Sequence, residues 1–356
     1  MPSFAPIIQI AYQEILERAA DPGGLSFYNA QMNVGMSEAD LREALLRSEE
    51  YARNNQGFQP RVVGRAFNFD YVGYTSFGLL GRSPEDRVAW VERGVSEGVV
   101  VFRVFSDTSF WPRDPLLDRV PKHRAVDDSG RHPSQDHVRT VRQTVRQAFV
   151  PQRAVMEYVI LVTQFEEFGP LFQRFEATEN YVFEVMQRFN DLPNTIFELG
   201  NEVDIHGKGW EPDRVNRALA EVRQRWPHVI ISCSSGREPD PAFDRYLYPE
   251  ASWGNIHYPR RDFPELSFGW PRFNGPLVDD EPEFFPRTTL DEYVTHQALV
   301  LEQNGFMTAH TEEGFICDPG VQTDVPLLRA LAEGRLTGLI PATKLSDAGI
   351  GSHGRV

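Results

Sequence analysis

Cysteine is scarce. Cys233 and Cys317 are the only two in 356 residues, too few for a disulfide framework or a cysteine metal site, and they read as small buried residues. Long apolar runs are missing as well: no stretch reaches the roughly 18 residues of a membrane span. The first twenty residues carry no basic start ahead of their apolar positions, which is not the pattern of a signal peptide. Export by a route without such a signal stays open, and the compartment with it. Positive charge is short too. Against 51 Asp and Glu stand 36 Lys and Arg, a net charge of -15, which argues against nucleic acid or an anionic membrane as partner. There is no internal repeat and no low-complexity segment.

What is present fits one barrel-sized α/β domain with a small appendage. The 25 Phe, 11 Tyr and 6 Trp exceed what a core needs and leave aromatics to line a groove. Residues 1–58 read as a small helical unit. Ile7, Ile8, Ala11, Ile15 and Leu16 recur at helical spacing, Asp21-Pro22-Gly23-Gly24 breaks the helix, and Ser37 with Asp40 forms a capping box ahead of the next one.

From residue 59 onward, strand-like runs alternate with helical ones, as in repeated βα units on a parallel sheet. Strands are expected over 69–77, 99–105, 155–164, 195–200, 228–232, 253–257, 276–278 and 306–310. Helices are expected over 83–98, 137–149, 177–189, 212–226, 290–304 and 325–333. Eight units make residues 59–356 a (β/α)8 TIM barrel, with a loop in place of a helix in unit six. In such a barrel the carboxyl ends of the strands meet at one mouth, so polar residues there are the site candidates. They are Arg103, Asn201, Glu202, His257, Tyr258, Asp279, Asp280, Glu281, His310, Glu312 and Glu313. Carboxylates on strands four and seven face each other across the mouth, the arrangement that glycosidic hydrolysis needs.

Two resemblances follow. The pattern from Tyr12 through Asp21-Pro22-Gly23-Gly24 to Tyr28, with Ser37, Asp40, Leu41 and Tyr51, resembles a short helical domain of unknown function related to phycobilisome linkers and common in bacterial surface proteins. It implies an adaptor role towards a cell surface or a protein partner; a helical cap on the next domain is the other reading. Gly200-Asn201-Glu202 at the end of strand four resembles the acid/base signature of the retaining (β/α)8 glycoside hydrolases called clan A.

That likeness implies Asn201 on the sugar 2-hydroxyl, Glu202 as acid/base and Glu281, in Asp279-Asp280-Glu281-Pro282, as nucleophile. It also implies Arg103 steadying the nucleophile, His257 and Tyr258 contacting it, a carbohydrate substrate and no cofactor. Alternation along strand seven leaves open which of the three carboxylates faces the mouth. Glu312, where many relatives place Trp, is open as a substrate ligand or as the nucleophile. Arg103 could instead be an ion-pair partner of Glu202 or Asp107. His310, Trp210 and Trp270 are further substrate contacts, with Trp111, Phe284, Phe285, Arg260 and Arg261 as outer candidates. Two other classes compete: a metal-dependent hydrolase built on His257, His310, Asp279, Asp280 and Glu312, although no His-x-His spacing supports it, and a carbohydrate-binding barrel without chemistry.

Overall fold

The computed structural model describes residues 3–16, 18–54, 57–109, 117–162, 175–203, 210–235, 248–257, 273–280, 305–310, 314 and 316–320. The expected helices at 290–304 and 325–333 lie outside them.

The chain opens with α1 (Ala5–Ile15), α2 (Pro22–Asn33), α3 (Glu38–Leu46) and α4 (Glu49–Asn54). Ile8, Ala11, Tyr12 and Ile15 make one buried face of α1, the three-and-four spacing that puts side chains on one stripe. Asp21 caps α2 by accepting from the Gly24 amide at 2.9 Å. The capping box of α3 forms as expected, with Ser37 and Asp40 each accepting the other's amide. This unit packs on the barrel's helices through buried polar contacts. Glu14, only 4% exposed, pairs with Arg42 of its own unit and with Arg188 of the barrel at 2.6 and 2.7 Å. The Tyr51 hydroxyl donates to Asp191, which Arg142 also holds.

The short hairpin β1 (Val62–Val63) and β2 (Ala66–Phe67) precedes the barrel strands. These are β3 (Gly73–Thr75), β4 (Val101–Phe105), β5 (Val155–Leu161), β6 (Thr195–Gly200), β7 (Ile231–Ser232), β8 (Ser234–Ser235), β9 (Gly254–Ile256), β10 (Leu277–Asp279) and β11 (Phe306–Ala309). All neighbours are parallel, and β11 pairs β3. The fifth strand is interrupted at Cys233. Its first half, β7, pairs β6, and its second half, β8, pairs β9, so one strand in two pieces completes an eight-stranded parallel barrel. Helices α5 (Pro84–Ser96), α6 (Gln135–Thr144), α7 (Val150–Gln152), α8 (Phe175–Phe189) and α9 (Pro212–Arg225) flank it. Ser83 caps α5 and Ser134 caps α6.

Period-two alternation divides the strands between two environments. Phe102, Val104, Met156, Tyr158, Ile160, Phe197 and Leu199 join the apolar layer shared with the helices. The other faces of β4, β5 and β6 carry Val101, Arg103 and Phe105; Val155, Glu157 and Val159; Ile196, Glu198 and Gly200. Val101, Val155, Ile196, Val278, Phe306 and Trp253 close the amino-terminal end, with Phe67 and Tyr71 stacked beneath at 5.2 Å. Above that apolar floor the barrel interior turns charged.

Candidate active site

Glu202 follows β6 in the left-handed region, with φ 50°. For a residue with a Cβ this costs roughly 1 kcal/mol or more, and such strain persists only where surrounding contacts hold it. Two contacts do. The Glu202 amide donates to Ser234 Oγ at 3.1 Å, and Glu202 Oε1 meets His257 Nδ1 at 2.9 Å. Gly200 serves a different purpose. A Cβ there would press on Val203 and Leu161, so glycine is required by close packing, while Glu202 itself makes the turn.

Arg103, fully buried, is the hub beneath. Its Nε and Nη2 donate to Glu198 Oε2 and Oε1 at 2.8 and 2.9 Å, and Nη2 also donates to Asn201 Oδ1 at 2.6 Å. Nε lies 2.8 Å from Asp280 Oδ2. Arg103 is thus an ion-pair partner, of Glu198 and Asp280, where the sequence suggested Glu202 or Asp107. Asp280 Oδ2 also accepts from Asn255 Nδ2 at 2.8 Å, and Oδ1 lies 2.9 Å from His257 Nε2. That last contact is an ion-pair approach short of hydrogen-bond alignment. The circuit closes through Ser234, whose hydroxyl donates to Glu198 Oε1 at 2.6 Å while accepting the Glu202 amide.

Glu157 lies beside the hub on β5, where the Tyr71 hydroxyl donates to its Oε2 at 2.6 Å. Burial, then the charges of Glu198 and Asp280, push its carboxyl up to about 8, so it holds a proton at neutral pH. Burial also pushes Glu198 up, against the pull of Arg103. The interior is thus arranged as two carboxylates around one guanidinium, with a third carboxyl neutralised by its own proton.

Glu198, His257 and Asp280 each bring a donor atom within 4.8 Å of the others, but Glu198 and Asp280 already share the guanidinium of Arg103. The cation of this cluster is an arginine, and the geometry does not favour the metal-dependent reading.

Of the residues expected at the mouth, Arg103, Asn201, Glu202, His257 and Asp280 converge. His310 stands further round, its Nδ1 3.0 Å from Thr75 Oγ1. Trp210 corrects the sequence reading. It is 3% exposed and packs edge-on to Phe175 at 4.7 Å, and its indole N–H donates to Thr178 Oγ1 at 3.2 Å. An indole sealed in the helix layer with its one donor satisfied has no face left for a sugar. Tyr258, Trp270, Glu281, Glu312 and Glu313, with Trp111, Arg260, Arg261, Phe284 and Phe285, lie outside the described residues. The contacts expected of the strand-seven nucleophile, to Arg103 and His257, are made by the preceding residue, Asp280.

Sequence reasoning missed Glu157, Glu198, Ser234 and Asn255. The first two were visible as single charges inside otherwise apolar strands, VMEYVIL and TIFELG, since a charge in a buried strand is kept only when paired.

Fold and site together define a parallel (β/α)8 barrel with acidic, basic and imidazole groups gathered at the carboxyl ends of its strands. Solved structures with this fold include a glycoside hydrolase of family 5 from Bacteroides vulgatus ATCC 8482, at 12% identity over 75% of this chain and 64% of that one, TM-score 0.54. An endo-1,4-β-D-mannanase from Thermotoga petrophila RKU-1 matches at 14% identity over 74% and 99%, and an endo-1,4-β-mannanase from Rhizomucor miehei at 14% over 71% and 90%, each with TM-score 0.50. The chain spans under two thirds of the family 5 structure, and 61% of a second Bacteroides vulgatus chain matched at TM-score 0.57 and 13% identity. Residues 2–55 match the model of a domain of unknown function (DUF4214). No curated protein sequence matches the chain.

Proposed function

We propose that the chain is a retaining glycoside hydrolase acting on a poly- or oligosaccharide, with Glu202 as acid/base and Glu281 as nucleophile. The observation that carries this reading is the placement of Glu202: a strained carboxylate at a strand end, held through both its amide and its side chain, beside Asn201 and His257. Glu202 gives its proton to the leaving oxygen while Glu281 attacks the anomeric carbon; Glu202 then takes a proton from the water that releases the glycosyl enzyme. Asp280 is fully buried, with Arg103, Asn255 and His257 on its two oxygens. In this reading Asp280 anchors the site and Glu281 makes the attack. The fold shared with two mannanases makes β-1,4-mannan the first polymer to assay. The N-terminal helices, tied to the barrel through Glu14 and Tyr51, act as a cap on it.

The test is hydrolysis of a polysaccharide panel, with product anomers followed by NMR. Glu202→Gln should lower turnover about 10²- to 10⁴-fold, the usual contribution of general acid–base catalysis, and the product should keep its anomeric configuration. A fully active Glu202→Gln enzyme would end the proposal.

A further inference from the structure

His257 stands between two carboxyl groups from different strands, with Nδ1 2.9 Å from Glu202 Oε1 and Nε2 2.9 Å from Asp280 Oδ1. Its ring is buried, with 1% of the side chain exposed. The far oxygen of Asp280 is held by two donors, Arg103 Nε and Asn255 Nδ2, so Oδ1 is the oxygen turned to the imidazole. A carboxylate oxygen only accepts, and a neutral imidazole carries one N–H and one lone pair. With Glu202 protonated, as its acid/base role requires, Nδ1 accepts from Oε1 and the ring proton falls on Nε2, 2.9 Å from Asp280 Oδ1 in an ion-pair approach short of hydrogen-bond alignment.

We infer that Asp280 is the positioning residue of the acid/base: it fixes His257 with Nε2 protonated, so that Nδ1 and Glu202 Oε1 share one exchangeable proton. This deepens, and rests on, the reading of Glu202 as acid/base. With the proton on Oε1, Glu202 is the acid and donates to Nδ1 in its resting state. With the proton on Nδ1, Glu202 is a carboxylate beside an imidazolium whose other N–H faces Asp280. The heavy atoms need not move between the two states. When Glu202 has protonated the leaving oxygen, its carboxylate is the base for the incoming water, and the proton it gains restores the shared one.

Among the described residues, the ionisable groups inside the barrel are Tyr71 ahead of β3, Arg103 on β4, Glu157 on β5 and Glu198 and Glu202 at β6. Asp280 stands at the end of β10, and His310 after β11. The guanidinium of Arg103 is committed to Glu198, Asn201 and Asp280, and Glu157 to Tyr71. Of this set, Glu202 and Asp280 lie 2.9 Å from the two ring nitrogens of His257.

The experiment is ¹⁵N NMR of the imidazoles in the full-length parent and in Asp280→Asn, with the His257 signals assigned by loss in His257→Gln, alongside the pH profile of kcat/KM. In the parent, Nε2 should stay protonated through the titration while Nδ1 titrates. In Asp280→Asn, His257 should lose its charge at a pH lower by about one unit or more, the scale of a carboxylate at this distance. The basic limb of kcat/KM should move the same way. A parent His257 with its proton on Nδ1, or a titration unchanged in folded Asp280→Asn, overturns the inference. The expected tautomer in a protein whose Glu202→Gln variant is fully active would overturn the catalytic reading and support the Asp280–His257 pairing, so the two failures are distinguishable.

Discussion

Ser234 holds the backbone of Glu202: its hydroxyl accepts the Glu202 amide at 3.1 Å and donates to Glu198 at 2.6 Å. A left-handed peptide at the proposed acid/base is thereby tied to the arginine hub. Replacing Ser234 by Ala removes one hydrogen bond to that peptide, worth about 1 kcal/mol. The expected result is a fall in kcat of roughly 5- to 10-fold with KM nearly unchanged, measured by steady-state kinetics on the best glycoside. An unchanged kcat would mean that Glu202 holds its position without the clamp.

Among the described residues, Arg103 is the guanidinium that Glu198 and Asp280 share. Arg103→Met leaves two buried carboxylates without their cation, and breaking such a pair costs about 3–5 kcal/mol. Urea denaturation should show that loss. Arg103→Lys should recover only part of it, because an ammonium cannot reproduce the forked contact to Glu198.

Glu157 gives stability a pH dependence. Its folded-state pKa, pushed up to about 8 by burial and by Glu198 and Asp280, lies above the ordinary 4.5. A raised pKa means that its contribution is fully present below 4.5 and is lost as the pH rises towards 8, where the unfolded chain is ionised and the folded one resists. Glu157→Gln keeps the shape and removes the ionisation. The variant should therefore gain on the parent steadily between pH 5 and 8 in Tm comparisons; a constant difference would mean that Glu157 titrates normally.

His123 and His137 act in the opposite sense. Burial, followed by the charge of Arg87, pulls His123 down to about 4, and burial with His123 pulls His137 well below its usual value. Their ring nitrogens approach to 2.7 Å, and His137 Nε2 lies 2.5 Å from the Tyr158 hydroxyl. Both favour the neutral form in the folded state, so their contribution is present above the unfolded value near 6.5 and is lost as the pH falls towards 4. The stability gap between parent and His137→Gln should narrow over that range.

Trp210 separates packing from catalysis. Trp210→Ala should cost about 3–5 kcal/mol, as large core truncations do, and chemical denaturation will read it. Trp210→Phe, which keeps most of the ring volume, should retain full turnover. A large rise in KM for folded Trp210→Phe would restore it to the substrate site.

Much of this architecture is legible in the sequence because it rests on local rules. The run 195–200 ends where expected, since an apolar strand stops where glycine and polar residues begin. Ser37 with Asp40 and Ser83 with Pro84 announce their helices by capping chemistry. The fifth strand was harder to place. His228 to Ile230 precede its first half, and its second half, Ser234 and Ser235, carries no apolar signal; pairing across the barrel makes it a strand.

The barrel, the helical unit before it and the strand end at Glu202 are legible along the chain, because periodicity and strand-end chemistry act over a few neighbouring residues. The network around that carboxylate is set by tertiary contacts. Arg103, Glu198, Ser234, Asn255, His257 and Asp280 come from five strands of the sheet, and nothing in their spacing along the chain brings them together. Their convergence follows from closing the sheet, which turns one face of every strand onto a common interior where each buried charge must find its opposite.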